Sequence, residues 1–339
     1  MSKYLKKFET VADYTAFIAT DYVKPNVSYI VEGNGVEYNP IVPLETRLVC
    51  KYNVENTSSP TALRSNYEQN IFKSMEIDGV MLDGLVTEYT FDSVGVHTVK
   101  YELYDETKLG NNAPVFNNGN LIEATIPNSV TSIGNSAFAE CSGLTSCTIG
   151  SGVTTIGNNA FYNCYKLTSI DIPNSVTSIG NSTFNYCSGL TSIDIPNSVT
   201  SIGGNAFQYC IRLTSCTIGS GVTSIGQSAF SFCTGLTSID IPNSVTTIGR
   251  EAFAACTGLT SCTIGSSVTS IGNNAFNGCS GLTSITSLAT TAPTIQSNTF
   301  RSVKTNGTLY VPQGSSGYDT WMQNANYYLG LYNWTMVEQ

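Results

Sequence analysis

The sequence predicts a solenoid of parallel strands joined by short helical or 3₁₀ turns, preceded by a small all-β domain. Three observations predict it. Residues 172–194, IPNSVTSIGNSTFNYCSGLTSID, recur seven times with small changes, starting at Ile126, Ile149, Ile172, Ile195, Ile218, Ile241 and Ile264. The step is a constant 23 residues, and self-similarity at a fixed period is the mark of stacked coils. Ahead of the repeats, residues 44–105 carry short β-rich runs of a different texture.

In chain order, residues 1–24 fit a short amphipathic helix. Leu5, Phe8, Val11 and Ala12, with Tyr14, Phe17 and Ile18, form its stripe, and Pro25 ends it. The stretch does not read as the apolar core of a signal peptide. Either the protein is not exported by that route or the sequence lacks its native start. Residues 27–41 read as a hairpin about Gly33-Asn34-Gly35, and residues 1–43 form the first segment. Within 44–105, strands are expected at 47–54, 71–77, 80–85, 88–91 and 97–104, with Asp78-Gly79 as a turn. In the last run Val99, Tyr101 and Leu103 alternate with polar neighbours, as one buried face requires. Residues 106–125 read as a degenerate first coil, 126–310 as the repeats and 311–339 as a C-terminal cap. In that cap a strand over 308–311, a helix over about 317–325 and a final strand-like run are expected. Tyr310, Tyr318, Trp321, Tyr327 and Trp334 would cover the open end.

Within one copy, Ile193 and Ile195 face inward from a strand while Ser192 and Asp194 face out. Val199 to Ile202 make a second side. Asn205 to Cys210 fit one helical or 3₁₀ turn, with Phe207 and Cys210 sharing its inner face. Seven of the eleven cysteines fill one column, from Cys141 to Cys279. Cys147, Cys216 and Cys262 stand where other copies have Ile, so these thiols read as free, buried, small hydrophobes. Cys50 stands apart from both columns.

The pattern IPxSVTSIGxxAFxxCxxLTSI resembles the BspA-type leucine-rich repeat, also called the Treponema pallidum type, over roughly residues 106–310. The resemblance implies a leucine-rich repeat solenoid, curved and right-handed, with the LxxIxI strands on its concave face. It also implies a cell-surface or extracellular location and a role in bacterial adhesion and host-protein binding. Asn197 falls one place early against the usual LxxLxLxxN, so no buried asparagine ladder is expected. Residues 87–103, TEYTFDSVGVHTVKYEL, resemble the closing strands of PKD- or Ig-like modules, which implies an Ig-like sandwich. The YVP…Y…W…E ending is similar to that of family members.

Composition narrows function. Only 12% of residues are charged, and the net charge is −9. With no basic patch, nucleic acid is not an expected partner. No run approaches the length of a membrane span, so no membrane insertion is expected. His97 is the single histidine and reads as structural, so Ser–His–Asp and Cys–His chemistry lack a base. No Cys-x2-Cys pair suggests zinc, and neither a metal nor a cofactor is expected. Asp171 and Asp194 occupy the outward position after Ile on adjacent coils, with Asp240 two coils on. They could bind a cation or act as an acid–base pair. The plainer reading is that SIDIPNS and SCTIGSG forms alternate. Threonine columns could meet ice or sugar, or could simply solvate strands.

The position before each column cysteine is irregular: Glu140, Asn163, Tyr186, Tyr209, Phe232, Ala255, Gly278. Three successive aromatics, with Tyr165, Lys166 and Arg212 nearby, fit an interface anchor. The plainer reading is that they pack along the convex edge of their own solenoid. The expectation is a non-enzymatic adhesion protein whose solenoid binds a host or surface protein or a glycan. The alternative is a structural part of a larger, phage-like or surface assembly, docked through the N-terminal segment.

Overall fold

A computed structural model of the chain describes residues 6–8, 29–31, 37–38, 47–64, 71–104, 107–110 and 113–339, the first three groups by backbone alone. The chain divides into two units, 1–47 and 48–339. In the first, β1 (Lys6–Phe8) lies parallel to β2 (Tyr29–Val31), which pairs antiparallel with β3 (Glu37–Tyr38). Lys6–Phe8 falls inside the stretch expected to be helical and is instead a strand. The rest of that stretch lies outside the described residues.

The second unit opens with antiparallel strands, because alternation of apolar and polar residues lets each bury one face. They are β4 (Leu48–Val54), β5 (Thr61–Ala62), β6 (Phe72–Ile77), β7 (Val80–Met81), β8 (Glu88–Tyr89) and β9 (Gly95–Leu103). Along β4 buried and half-buried positions alternate without exception. Apart from the short β5–β8 pair, these strands do not make a sheet of their own. β4 pairs antiparallel with β11 (Leu121–Thr125), which pairs parallel with Ser146–Thr148 of the first full repeat. The sheet order is β7-β6-β9-β4-β11 and then solenoid strands. Instead of a free-standing Ig-like sandwich, this region extends the solenoid sheet, and one apolar core runs through both. The short β5–β8 pair adds Leu63 and Phe91 to that core. Tyr52 and Tyr101 are fully buried there, and the Tyr52 hydroxyl donates to the Leu63 carbonyl. On the outer side, Lys51 bonds Glu123 at 2.9 Å across the β4–β11 seam.

From β11 onward each coil has three sides. The LxxIxI strands form the first, for example Ser192–Ile195 parallel to Ser215–Ile218 in direct register. On this side the ladder is interrupted twice, before Ser192–Ile195 and before Ser238–Ile241. The second side is an unbroken eight-stranded parallel sheet from β10 (Lys108–Leu109) to Ser270–Ile271. The third side is not helical. Asn205 and Tyr209 have φ of 56° and 60°, and the same two columns are left-handed in the other repeats. Between them the backbone turns repeatedly while alternate N–H groups point along the stack. Phe207 N donates to Ala229 O at 2.7 Å and Tyr209 N to Ser231 O at 2.9 Å. Two left-handed residues per turn stop the i to i+4 pattern from propagating, so the predicted helical turn becomes a string of turns. Coils approach so closely at Gly203 that a Cβ there would lie 2.5 Å from the Gly180 carbonyl, which is why only glycine fits.

The core phenylalanines stack into a spine. Centroids from Phe138 to Phe300 are separated by 5.2 to 5.8 Å. The spine continues through Phe116 to Phe72 and Tyr101 at one end and to Trp321 at the other. Beside it, each column thiol from Cys164 to Cys279 donates to the phenylalanine carbonyl of the preceding coil. Cys187 Sγ reaches Phe161 O at 3.1 Å, and Cys210 Sγ reaches Phe184 O at 3.3 Å. The cysteine is therefore a hydrophobe that also satisfies a buried carbonyl.

The C-terminal strand Thr308–Val311 continues the first side and pairs parallel with Thr335–Glu338. Between them lie two 3₁₀ turns, Tyr318–Thr320 and Leu329–Tyr332, in place of the expected longer helix. Trp321, Tyr318 and Trp334 are buried over the last coils, while Tyr310 is half-buried and Tyr327 exposed. Trp321 Nε1 donates to Pro293 O at 3.0 Å, so its polar edge is satisfied as its rings close the core.

Candidate functional site

The threonine columns lose their functional reading. Thr200 Oγ1 donates to Thr177 O at 3.2 Å and Thr214 Oγ1 to Thr191 O at 3.0 Å, and the columns repeat this coil after coil. Their hydroxyl protons serve the carbonyls of the preceding coil. Asparagines do the same in reverse: Asn197 Oδ1 accepts from Ser220 N at 2.8 Å, and Asn158 Oδ1 from Asn181 N at 2.7 Å. These asparagine ladders are on the outside of the coils, in keeping with the displaced Asn197.

Asp171, Asp194 and Asp240 are exposed on the first side. Asp194 sits opposite Thr217 and Asp240 opposite Thr263. The strands carrying Asp171 and Asp194 are not hydrogen-bonded to each other, because the ladder is interrupted between them. Among the described residues no group of three or more His, Cys, Asp or Glu side chains could hold a metal ion. None of the described helices is long and apolar enough to cross a membrane.

His97 is held at both nitrogens, Nδ1 2.6 Å from Asp78 Oδ2 and Nε2 2.9 Å from Ser93 O, with its ring 4.2 Å from that of Phe91. Partial burial pushes the Asp78 carboxyl up. The His97 hydrogen bond, the Thr98 amide and the His97 charge outweigh this and hold it below the ordinary range. His97 fixes the turn at Asp78, whose φ is 48°.

The column thiols are buried, which disfavours their thiolate form. Burial pushes Cys141, Cys187 and Cys256 up to about 12, and the other cysteines also upward. Cys50, the outsider in sequence, sits beside Cys141 and Cys147 at the head of the column, and burial raises it most, with Cys147 and Cys141 adding.

The structure brings Tyr186, Tyr209 and Phe232 together as an exposed column of parallel rings. Centroids are 4.6 and 4.5 Å apart, with interplanar angles of 7° and 11°. Tyr186 is 40% and Phe232 38% exposed, and Tyr209 is half-buried. Tyr162 meets Tyr186 edge-on at 5.9 Å. Tyr165, Ile211, Lys166 and Arg212 are exposed one or two positions past the column cysteines of their coils. All three column aromatics adopt φ near 60°. Left-handed backbone costs a residue with a Cβ about 1 kcal/mol or more, and bulky side chains are rare there. Gly278 and Asn163 in the same column show what the turn prefers. Sequence reasoning found the column by its irregularity and missed the strain. Asn and Gly at equivalent positions carried that signal.

Comparison with curated proteins gives no match. Among solved structures, the chain is similar to a leucine-rich repeat protein from Bacteroides ovatus, at 19% identity, covering 74% of this chain and 90% of that one, with a TM-score of 0.38. It is also similar to the leucine-rich repeat protein of T. pallidum, at 27% identity over 51% of this chain and 73% of that one, TM-score 0.38. A leucine rich cell surface protein from Faecalibacterium prausnitzii is 26% identical over 70% of this chain and 84% of that one, TM-score 0.30. A family profile described as BspA type leucine rich repeat region (6 copies) matches residues 107–236 and 200–321. Those spans cover well over half the sequence and coincide with the coils. The chain belongs to the BspA-type leucine-rich repeat family.

Proposed function

We propose that the chain is a non-enzymatic binding protein of the bacterial cell surface, which takes hold of a protein or glycan through the turn side of its solenoid. One observation carries this reading: three stacked aromatic rings, Tyr186 and Phe232 exposed and Tyr209 half-buried between them, stand at a backbone conformation that disfavours them. Ala255 and Gly278 make the same turn without a ring. The fold therefore does not require Tyr186, Tyr209 and Phe232, and local strain that folding does not require points to use. Aromatic anchors flanked by Lys166 and Arg212 are the residue types that dominate recognition surfaces. Membership of the family supports the surface location.

The test compares wild type with a Tyr186→Ser, Tyr209→Ser, Phe232→Ser variant for binding to immobilised host matrix proteins and a glycan panel. The variant is expected to melt within a few degrees of wild type, since the lost ring contacts are modest, and to lose at least tenfold in affinity. Equal affinity of the two proteins for every ligand bound would sink the reading.

A further inference from the structure

The exposed ring column is closed at one end and open at the other. Tyr162 seals the outer face of Tyr186, with ring planes at 84°. Past Phe232 the column continues as Ala255 and then Gly278, with φ of 58° and 76°. Side chains in this column stand over one another from coil to coil. A Cβ built on Gly278 would lie 4.0 Å from that of Ala255, and the Tyr209 and Phe232 rings are 4.5 Å apart. The outward face of Phe232 is therefore bordered in its column by a methyl group and then by a hydrogen. What results is a shelf two coils deep, on the order of 10 Å along the stack at the usual spacing of parallel strands. Beyond it, Gly278 N donates to Arg301 O at 2.7 Å, and the Arg301 guanidinium lies 5.2 Å over the Tyr327 ring.

The rim of this shelf is polar. Thr257 and Ser280, two residues after Ala255 and Gly278, are exposed, as is Arg301, and Asn277 is half-buried. Resting on the reading of the ring column as the binding face, we propose that the shelf takes one saccharide ring, stacked by its C–H face on the free face of Phe232. The face of an aromatic ring is electron-rich and attracts the weakly positive C–H groups of a pyranose. The hydroxyls around such a ring need donors and acceptors, and the rim offers both kinds. An aromatic anchor from a partner protein would need an apolar surround to exclude water, and on this side the column offers only the Ala255 methyl within a polar rim.

Ala255→Tyr tests the shelf directly. It places a fourth ring where the saccharide would lie, on a backbone conformation that Tyr209 already adopts. Saturation-transfer NMR on the full chain uses methyl glycosides of glucose, galactose and N-acetylglucosamine, with p-cresol as the aromatic competitor. At least one glycoside should give ring-proton transfer with wild type and with Tyr186→Ser, and should lose tenfold or more in affinity with Ala255→Tyr, whose melting by circular dichroism stays that of wild type. No transfer from any glycoside, transfer from p-cresol alone, or unchanged binding by Ala255→Tyr would overturn the proposal. If that happens while the triple serine variant loses its matrix or glycan ligand, the shelf is refuted and the ring column stands as a site. If the triple variant keeps that ligand, the broader reading falls as well.

Discussion

The buried phenylalanine spine and the exposed ring column run along the same coils with different geometry. The spine has a ring in every coil from Phe138 to Phe300, at 5.2 to 5.8 Å, with both ends sealed by non-repeat aromatics. Every one of these rings is fully buried. The exposed column has rings in three coils, at 4.5 and 4.6 Å, on left-handed backbone. One column is explained completely by the requirements of stacking. The other departs from what the turn prefers, and Ala255 and Gly278 make the same turn without a ring. Repetition marks what the solenoid needs, and deviation from it marks what the solenoid carries.

The largest expected effect strikes the buried side through its thiols. All eleven cysteines have thiols raised above their ordinary value in the folded chain, with desolvation as the leading cause. A group raised on folding contributes its full stability below the unfolded pKa and loses it as pH rises past that point. Each thiol then costs about 1.4 kcal/mol per pH unit above roughly 9, and together they cost on the order of 10 kcal/mol per unit. The coils should unfold cooperatively between about pH 9 and 10.5, followed by circular dichroism, with thiols inert to iodoacetamide at pH 7.5 until that point. Survival of native signal at pH 11 would contradict the buried thiol column.

Phe207→Ala comes next. It opens a cavity in the middle of the spine and should lower stability by about 3–5 kcal/mol in urea titration. Tyr209→Ala, two residues away, loses two partly exposed stacking contacts and should cost clearly less, about 1–2 kcal/mol. Similar losses at both positions would erase the distinction between the columns.

Tyr209→Gly is the smallest and the most pointed test. It removes a ring from between two others and relieves φ of 60°. The loss of stacking, about 0.5–1.5 kcal/mol per pair, opposes the relief of about 1 kcal/mol. The net shift in melting temperature should stay within a few degrees. A large destabilisation would mean that the exposed rings are structural after all.

Much of this was legible from residue patterns. The period, the inward Ile, Leu, Val and Phe positions and, of the five cap aromatics expected, Tyr318, Trp321 and Trp334 follow from burial alone, which writes itself into the sequence at every coil. The strands of the N-terminal β region were also legible, since Val99, Tyr101 and Leu103 alternate as they must. Their continuity with the solenoid was not. It depends on Val49, Cys50 and Lys51 meeting Thr125, Ala124 and Glu123, residues far apart along the chain that carry no local sign of pairing. The turn side was misread because Phe207 and Cys210, three apart, satisfy helical and non-helical geometry alike. Asn205 and the Gly or Asn found in neighbouring copies were the better guide. The thiol-to-carbonyl bonds leave no trace in composition, since a buried cysteine reads the same with or without a partner.

The uniform handshake between coils has one more consequence. Each coil hands the next a phenylalanine face and a carbonyl, and receives a ring and a thiol in return. Any coil can therefore follow any other. Unequal exchange between copies, removing or adding one whole unit, leaves every new pair of neighbours with the surfaces they require and both caps untouched. Deleting the unit that holds Tyr209 would set Tyr186 against Phe232 and shorten the exposed column by one ring. Array length and the exposed ring column can thus be revised by recombination in a single event, without a change to the core.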